Sequence, residues 1–529
     1  MSSIPPREPQ GEVPSNPNPF LSPVYDSPVV ELADQDYMKP NPQRLSAGGI
    51  VSWLMIALAV SSLVLLVAVQ QFNQATEVGG DATDSDLMQA EIQTKMLVGQ
   101  GNLDKILPIP PEQVTEPVVP EEVDAGCYEQ RLVYASIKNE VEGPESAREY
   151  LQSLDERVEQ LQAEELEEGV PEEERFELTE DQRELRNAMG ELLTEYEAGN
   201  FSDSGVPEDS KELIKERLGF PGELFLVPEG TDQQATRDNL IGGVATSVSV
   251  MMVFGLFAIL AGVVGVGCCV AFPVMISQNK LLSYFFLSPT NHNIYIQTFA
   301  IWLVGFFGTS ILLGFLELSA EAGMLIQPVV FFGSLLCLVY PLLRGVTFRQ
   351  LRYDIGWTID RPVGDTFFAG ISYLATLPCL IPGIIAIAIF SAIAGQFTEL
   401  HEFARQTGPG HPIQDYLANG NWFMILMVFV TACIAAPVVE ETMFRGVLYR
   451  HLRDWSQSWA RWASIGFSAV LNGFVFAAIH PQGIAAIPVL MTLAICFSLV
   501  REWRNSLLTP MLMHGIHNTV VTCVSLIIL

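Results

Sequence analysis

Apolar runs of about twenty residues recur along this 529-residue chain, near 48–69, 241–271, 296–316, 324–343, 366–394, 422–449, 463–483, 484–500 and 507–528. A bilayer core roughly 30 Å thick takes about 20 apolar residues when crossed as a helix. Lipid offers no partner to a backbone N–H or C=O, so each such run must satisfy its own hydrogen bonds. The pattern therefore predicts an all-α, multi-spanning transmembrane helical bundle of about nine spans.

The net charge of −32 sits oddly on such a chain until it is cut into pieces. Residues 71–239 hold 42 Asp and Glu against 13 Lys and Arg, a net of −29, and the remainder is close to neutral. No basic patch exists to meet phosphates, so no nucleic acid is expected as a partner. Of the eight cysteines, only Cys127 lies in the acidic region, and no CxxC spacing occurs. Neither a disulfide framework nor a structural zinc site is expected.

Residues 1–46 are rich in Pro, Ser and Asn and lack apolar periodicity, which predicts a disordered Pro-rich tail. The tail is too long and too acidic for the n-region of a signal peptide, so residues 47–70 read as a retained transmembrane anchor. Lys39 and Arg44 precede that anchor and acids follow it. The positive-inside rule then puts the N-terminus in the cytoplasm and residues 71–239 outside, as an inserted acidic extracytoplasmic domain. Lys280, then Arg344, Arg349, Arg352 and Arg361, then Arg450, Arg453 and Arg461, then Arg501 and Arg504 recur in alternate loops of the nine-span count. The expected location is the cell (inner) membrane, multi-pass, with residues 240–344 as transmembrane helices and further spans over 345–529. In the acidic region, 146–168 and 180–197 carry Leu and Val at helical spacing on either side of Pro171, which predicts an amphipathic helix pair. Such a domain fits a spacer or a surface for a protein partner.

Three polar constellations interrupt the last apolar runs. Charged residues at bilayer depth cost roughly 2.5–3.5 kcal/mol on insertion scales, so they need a reason. In "APVVEETMFRG", Glu441 and Arg445 are four apart on one helix face and can pair, while Glu440 points about 100° away and is left free. In "FVFAAIH", His480 follows Phe476 by one turn, and in "HGIHN", His514 and Asn518 share a face with His517 as a competing neighbour. On these span limits His480 falls toward the outer side and His514 toward the cytoplasm, so a shared site demands tilted helices. A carboxylate beside an imidazole suits general-base activation of water, and an imidazole with a carboxamide suits donation to an oxyanion.

These motifs, EExxxR, FxxxH and HxxxN in that order on apolar helices, resemble the CPBP group of intramembrane proteases, which includes the type II CAAX prenyl endopeptidases. Ala436-Pro437 before the glutamates, Phe444 and Gly446 around the arginine, and "NSLLTPMLMH" before the last motif agree. The likeness covers roughly 345–529. It implies an endopeptidase of the bilayer acting on a protein or peptide, with Glu440 as catalytic carboxylate and His480 helping to activate water. His514 and Asn518 would stabilise the tetrahedral intermediate, and Glu441 and Arg445 would hold the geometry. His480 and His514 with a glutamate also make a zinc set with an open fourth position, so a metalloprotease is the competing form. No HExxH occurs, and no required cofactor is the preferred expectation. Two other readings stand beside the peptidase: a non-catalytic membrane scaffold, and a transporter relaying protons through the buried Glu and His residues.

Overall fold

The computed structural model describes residues 46–76, 84–102, 128–167, 175–199, 206–230, 233–278, 285, 293–316, 318–394, 417 and 421–528. The Pro-rich tail, Cys127, Pro171 and Lys280 lie outside the described residues. Leu45–Leu529 forms one compact unit, and among the described residues every regular element is helical.

The first helix, α1 (Ala47–Thr76), is the anchor expected from the sequence. A group of helices follows: α2 (Asp84–Gly101), α3 (Tyr128–Glu142), α4 (Pro144–Glu167), α5 (Glu180–Glu197), α6 (Glu208–Leu218) and α7 (Phe220–Phe225). Most of their acids, Glu129 excepted, stay out of the core that Leu132, Leu151, Leu154, Met189, Leu192, Ile214 and Phe225 close. The reason α5 starts where it does is local: the Thr179 side chain accepts from the Gln182 amide and the Gln182 side chain accepts from the Thr179 amide, a capping box. Salt bridges tie neighbouring helices, Arg148 to Glu197 at 2.6 Å and Arg186 to Asp155. At the α3–α4 joint, Lys138 and Ser146 both donate to Glu142, and these bonds, the lysine's foremost, hold its carboxyl below the usual carboxylate range.

The run at 241–276 does not break at Pro273. A single 44-residue helix, α8 (Gln234–Ser277), about 66 Å long at 1.5 Å per residue, continues from the acidic region into the bundle. Ile241 and Val244 at its start pack on Val98, Phe220 and Leu224. Farther along, Gly265 leaves room for the Leu374 carbonyl, which a Cβ there would meet at 2.1 Å.

The remaining helices are α9 (Asn293–Gly314), α10 (Ala320–Ser334) continued through a 3-10 turn into α11 (Val339–Leu343), α12 (Phe348–Ile355), α13 (Pro362–Ala394), α14 (Trp422–Trp455), α15 (Arg461–Ala478), α16 (Ile487–Arg504) and α17 (Leu508–Ile528). Their shared core brings Ile56 of α1, Tyr295, Phe299 and Trp302 of α9, Val439, Met443 and Phe444 of α14, and Phe476 of α15 into contact. Edge-on aromatic pairs, Phe299 on Phe444 at 5.3 Å and Phe444 on Phe476 at 5.1 Å, set the α9–α14–α15 spacing.

Seven described helices are long and apolar enough to cross a membrane. The other two expected spans, 463–483 and 507–528, coincide with the helices α15 and α17, which carry Ser464, Ser468 and Asn472, and His514, His517 and Asn518. One expectation is corrected, and it concerns the arginines used to orient the later loops. Arg450, Arg453 and Arg501 lie within helices and are buried. Arg450 pairs with Asp454 at 2.9 Å, Arg453 with Glu502 at 3.0 Å and Arg504 with Asp365 at 2.6 Å. A buried cation needs a partner, and these find theirs inside the fold rather than in water.

Candidate active site

The helix α14 carries the first motif and is unusual in its backbone. Two π-helical segments, Val430–Ala435 and Thr442–Leu448, flank the turn Ala436–Glu441. Pro437 has no amide hydrogen and cannot donate to the Cys433 carbonyl, and the helix widens just before it. Carbonyls loosened in this way are used by α17. The Asn518 Nδ2 donates to the Ala432 carbonyl at 2.6 Å, and Gly515 lies against the Cys433 carbonyl, which a Cβ there would meet at 2.9 Å. Close approach at Gly515 is what brings His514 onto α14.

The adjacent glutamates are treated differently. Glu441 is fully buried and its Oε1 accepts from Arg445 Nη1 at 3.0 Å and from His514 Nδ1 at 3.0 Å. Arg445 is equally buried; its Nη2 donates to the Ala494 carbonyl at 3.2 Å, and the rings of Phe476 and Phe497 face its guanidinium at 4.5 and 5.3 Å. The cation is thus held by one carboxylate, one carbonyl and aromatic faces. Glu440 has 14% of its side chain exposed and makes no such bond; its Oε2 is buried without a hydrogen-bond partner.

Two imidazoles face that oxygen. His480 Nε2 stands 3.6 Å from Glu440 Oε2 and His514 Nε2 stands 3.9 Å from it. Each ring is oriented through its other nitrogen, His480 Nδ1 on the Phe476 carbonyl at 2.5 Å and His514 Nδ1 on Glu441. A carbonyl or carboxylate oxygen only accepts, so both Nδ1 atoms carry the proton and both Nε2 atoms are turned to Glu440. The separations exceed a direct hydrogen bond and suit groups that share a small polar reactant between them.

Of the residues singled out in the sequence, Glu440, Glu441, Arg445, His480 and His514 therefore meet in one place, and the depth conflict between the two histidines is absent from the folded chain. Asn518 is anchored one turn beyond His514 on the Ala432 carbonyl. His517 turns elsewhere, with its ring 6.1 Å from Tyr373 of α13. Sequence reading missed Trp357, whose Nε1 donates to Thr442 beside Glu441 at 3.0 Å, and the Ala494 carbonyl; partners 85 and 49 residues away leave no linear signal. Among the described residues no set of three or more His, Cys, Asp or Glu is arranged to hold a metal ion.

Residues 421–520 match the family model described as Type II CAAX prenyl endopeptidase Rce1-like. Over these residues the chain is similar to this family. The Rce1-like segment spans all three motifs and excludes the acidic helices. No curated protein and no solved structure matches the chain. Together with the seven apolar helices, the Rce1-like segment supports a CAAX-type intramembrane peptidase within a multi-pass membrane protein.

The contact at Gly515 generates a prediction. In Gly515→Ala the added carbon meets backbone, so α17 must move and carry His514 with it. Turnover is expected to fall about 10- to 100-fold through kcat, since a displacement near 1 Å costs on that order. Steady-state kinetics on folded variant checks it, and an unchanged kcat would show that the close approach does not position the site.

Proposed function

We propose that this protein is an intramembrane endopeptidase in which Glu440 acts as the general base on water. The observation that carries the reading is the convergence of two imidazole Nε2 atoms on the one carboxylate that has no other partner. The substrate class it fits is a membrane-associated protein or peptide, and the family match favours a prenylated CAAX-type C-terminus over a leader peptide.

In this mechanism water is held between Glu440 and His480. Glu440 takes its proton as the oxygen attacks the scissile carbonyl, and general-base assistance of this kind contributes about 10²–10⁴-fold. The developing oxyanion lies toward His514, whose Nε2 donates when it carries a proton, and toward the Asn518 N–H not used on Ala432. Glu440 then returns the proton to the leaving amine as the C–N bond breaks. Glu441 and Arg445 touch no reacting atom. They position His514, with Glu441 oriented by Arg445 and the aromatic faces around it. Water activation needs no metal in this scheme, and no cofactor is required.

For orientation, we propose that the N-terminus is cytoplasmic and that the acidic helices α2–α7 lie outside, where they select partners. The first four spans are common to the seven- and nine-span counts, so this placement does not depend on α15 or α17.

The mechanism is tested by peptidase assay in detergent. Glu440→Gln keeps the side chain's shape and removes the base, so turnover is expected to drop by about 10²–10⁴-fold with the fold retained. Wild-type activity is expected to survive strong chelators, with no stoichiometric zinc in active protein. Zinc lost in step with activity refutes the metal-free route, and an active Glu440→Gln refutes the assignment itself. Orientation is tested with an impermeant thiol reagent on Glu191→Cys, an exposed position of α5. Labelling of intact cells is expected; labelling only after lysis inverts the topology.

A further inference from the structure

Between the spans Glu321–Leu343 and Pro362–Ile389 the chain makes a short link that carries α12. Each end of the link joins a candidate span, so a link this short stays close to one membrane face. Its surface mixes exposed apolar side chains, Leu343 at 78%, Ile359 at 71% and Val363 at 83%, with the arginines of the same stretch. A cavity of about 260 Å³ opens here, lined by Phe348, Arg349, Arg352, Tyr353, Trp357, Thr358 and Asp360.

The charges in this cavity are unspent. Among the described residues, neither Arg349 nor Arg352 has a carboxylate partner, and Asp360 has no cation. Arg349 and Arg352 are three apart on α12 and so are surface neighbours. The aromatic wall is fixed before any ligand arrives: Arg352 Nε donates to the Trp357 carbonyl at 3.3 Å, and the Trp357 indole donates to Thr442 at 3.0 Å. Fixed walls reduce the ordering cost of binding.

We propose that this cavity is a binding site for the headgroup of an aminophospholipid. Arg349 and Arg352 take the phosphate, and Asp360 with the aromatic wall takes the ammonium. Paired guanidiniums match phosphate oxygens. A carboxylate beside aromatic faces matches a cation. A purely anionic headgroup would set its charge against Asp360 and leave the aromatic faces unused. The exposed Leu343, Ile359 and Val363 of the same link give acyl chains a surface, which a free phosphate compound has no means to exploit. Through Trp357 and Thr442 the site is tied to the helix that carries Glu440 and Glu441, so the lipid braces the active-site helix from outside.

The site is tested without reference to peptidase activity. Full-length protein is reconstituted in nanodiscs of equal phosphatidylethanolamine and phosphatidylglycerol, stripped gently, and weighed by native mass spectrometry. Wild type is expected to retain phosphatidylethanolamine, and Arg349→Ala/Arg352→Ala to retain it about tenfold less, as loss of charge-assisted bonds near 1.4 kcal/mol implies. Asp360→Asn alone is expected to shift retention toward phosphatidylglycerol, which keeps the test decisive if the double variant misfolds. Equal retention by wild type and the double variant overturns the site. An unshifted preference in Asp360→Asn overturns the ammonium contact. Displacement of the retained lipid by millimolar phosphoethanolamine or inorganic phosphate overturns the lipid as occupant.

Discussion

The bond network joining Arg445, Glu441 and His514 is the constraint on which the site depends. All three side chains are buried, and within the network Glu441 Oε1 serves two donors at 3.0 Å. Breaking a buried ion pair by removing one partner typically costs about 3–5 kcal/mol, so the network is expensive to disturb. Its effect is asymmetric: by consuming Glu441 it leaves Glu440 unpaired, and by holding His514 through Nδ1 it turns Nε2 toward Glu440. The same bonds thus fix one carboxylate and release the other. Phe444, Phe476 and Phe497 keep water from the guanidinium and make the arrangement rigid.

Much of the site was legible from spacing. The Glu441–Arg445 pair follows from a four-residue separation on a helix, and Glu440's isolation from the 100° rotation between neighbours. The meeting of His480 and His514 was implied by residue type and by family likeness, while spacing alone set them at different depths. What spacing could not supply were contacts across helices. The Pro437 effect on α14, the Asn518 bond to Ala432 and the Gly515 approach depend on which backbone atoms face each other, and sequence periodicity is blind to that.

The expected spans at 463–483 and 507–528 coincide with α15 and α17, which carry the polar residues that line and brace the bundle interior. The arginines of α14 and α16 misled, since Arg450, Arg453 and Arg501 read as loop charges and prove to be interior groups tied to Asp454, Glu502 and neighbouring backbone and amide oxygens. The acidic helices were easier, because their apolar stripes and the cap at Thr179 are local signals.

The division of labour between Glu440 and Glu441 is the account's central claim, and thermal stability tests it most directly. Unfolding of purified Glu440→Gln and Glu441→Gln is followed in the same detergent. Glu441→Gln is predicted to melt several degrees below wild type, because Arg445 and His514 lose the charge they are built around. Glu440→Gln is predicted to melt at or above the wild-type temperature, since that carboxylate accepts no hydrogen bond while Glu441 accepts two. Equal losses in the two variants, or a larger loss in Glu440→Gln, would contradict it.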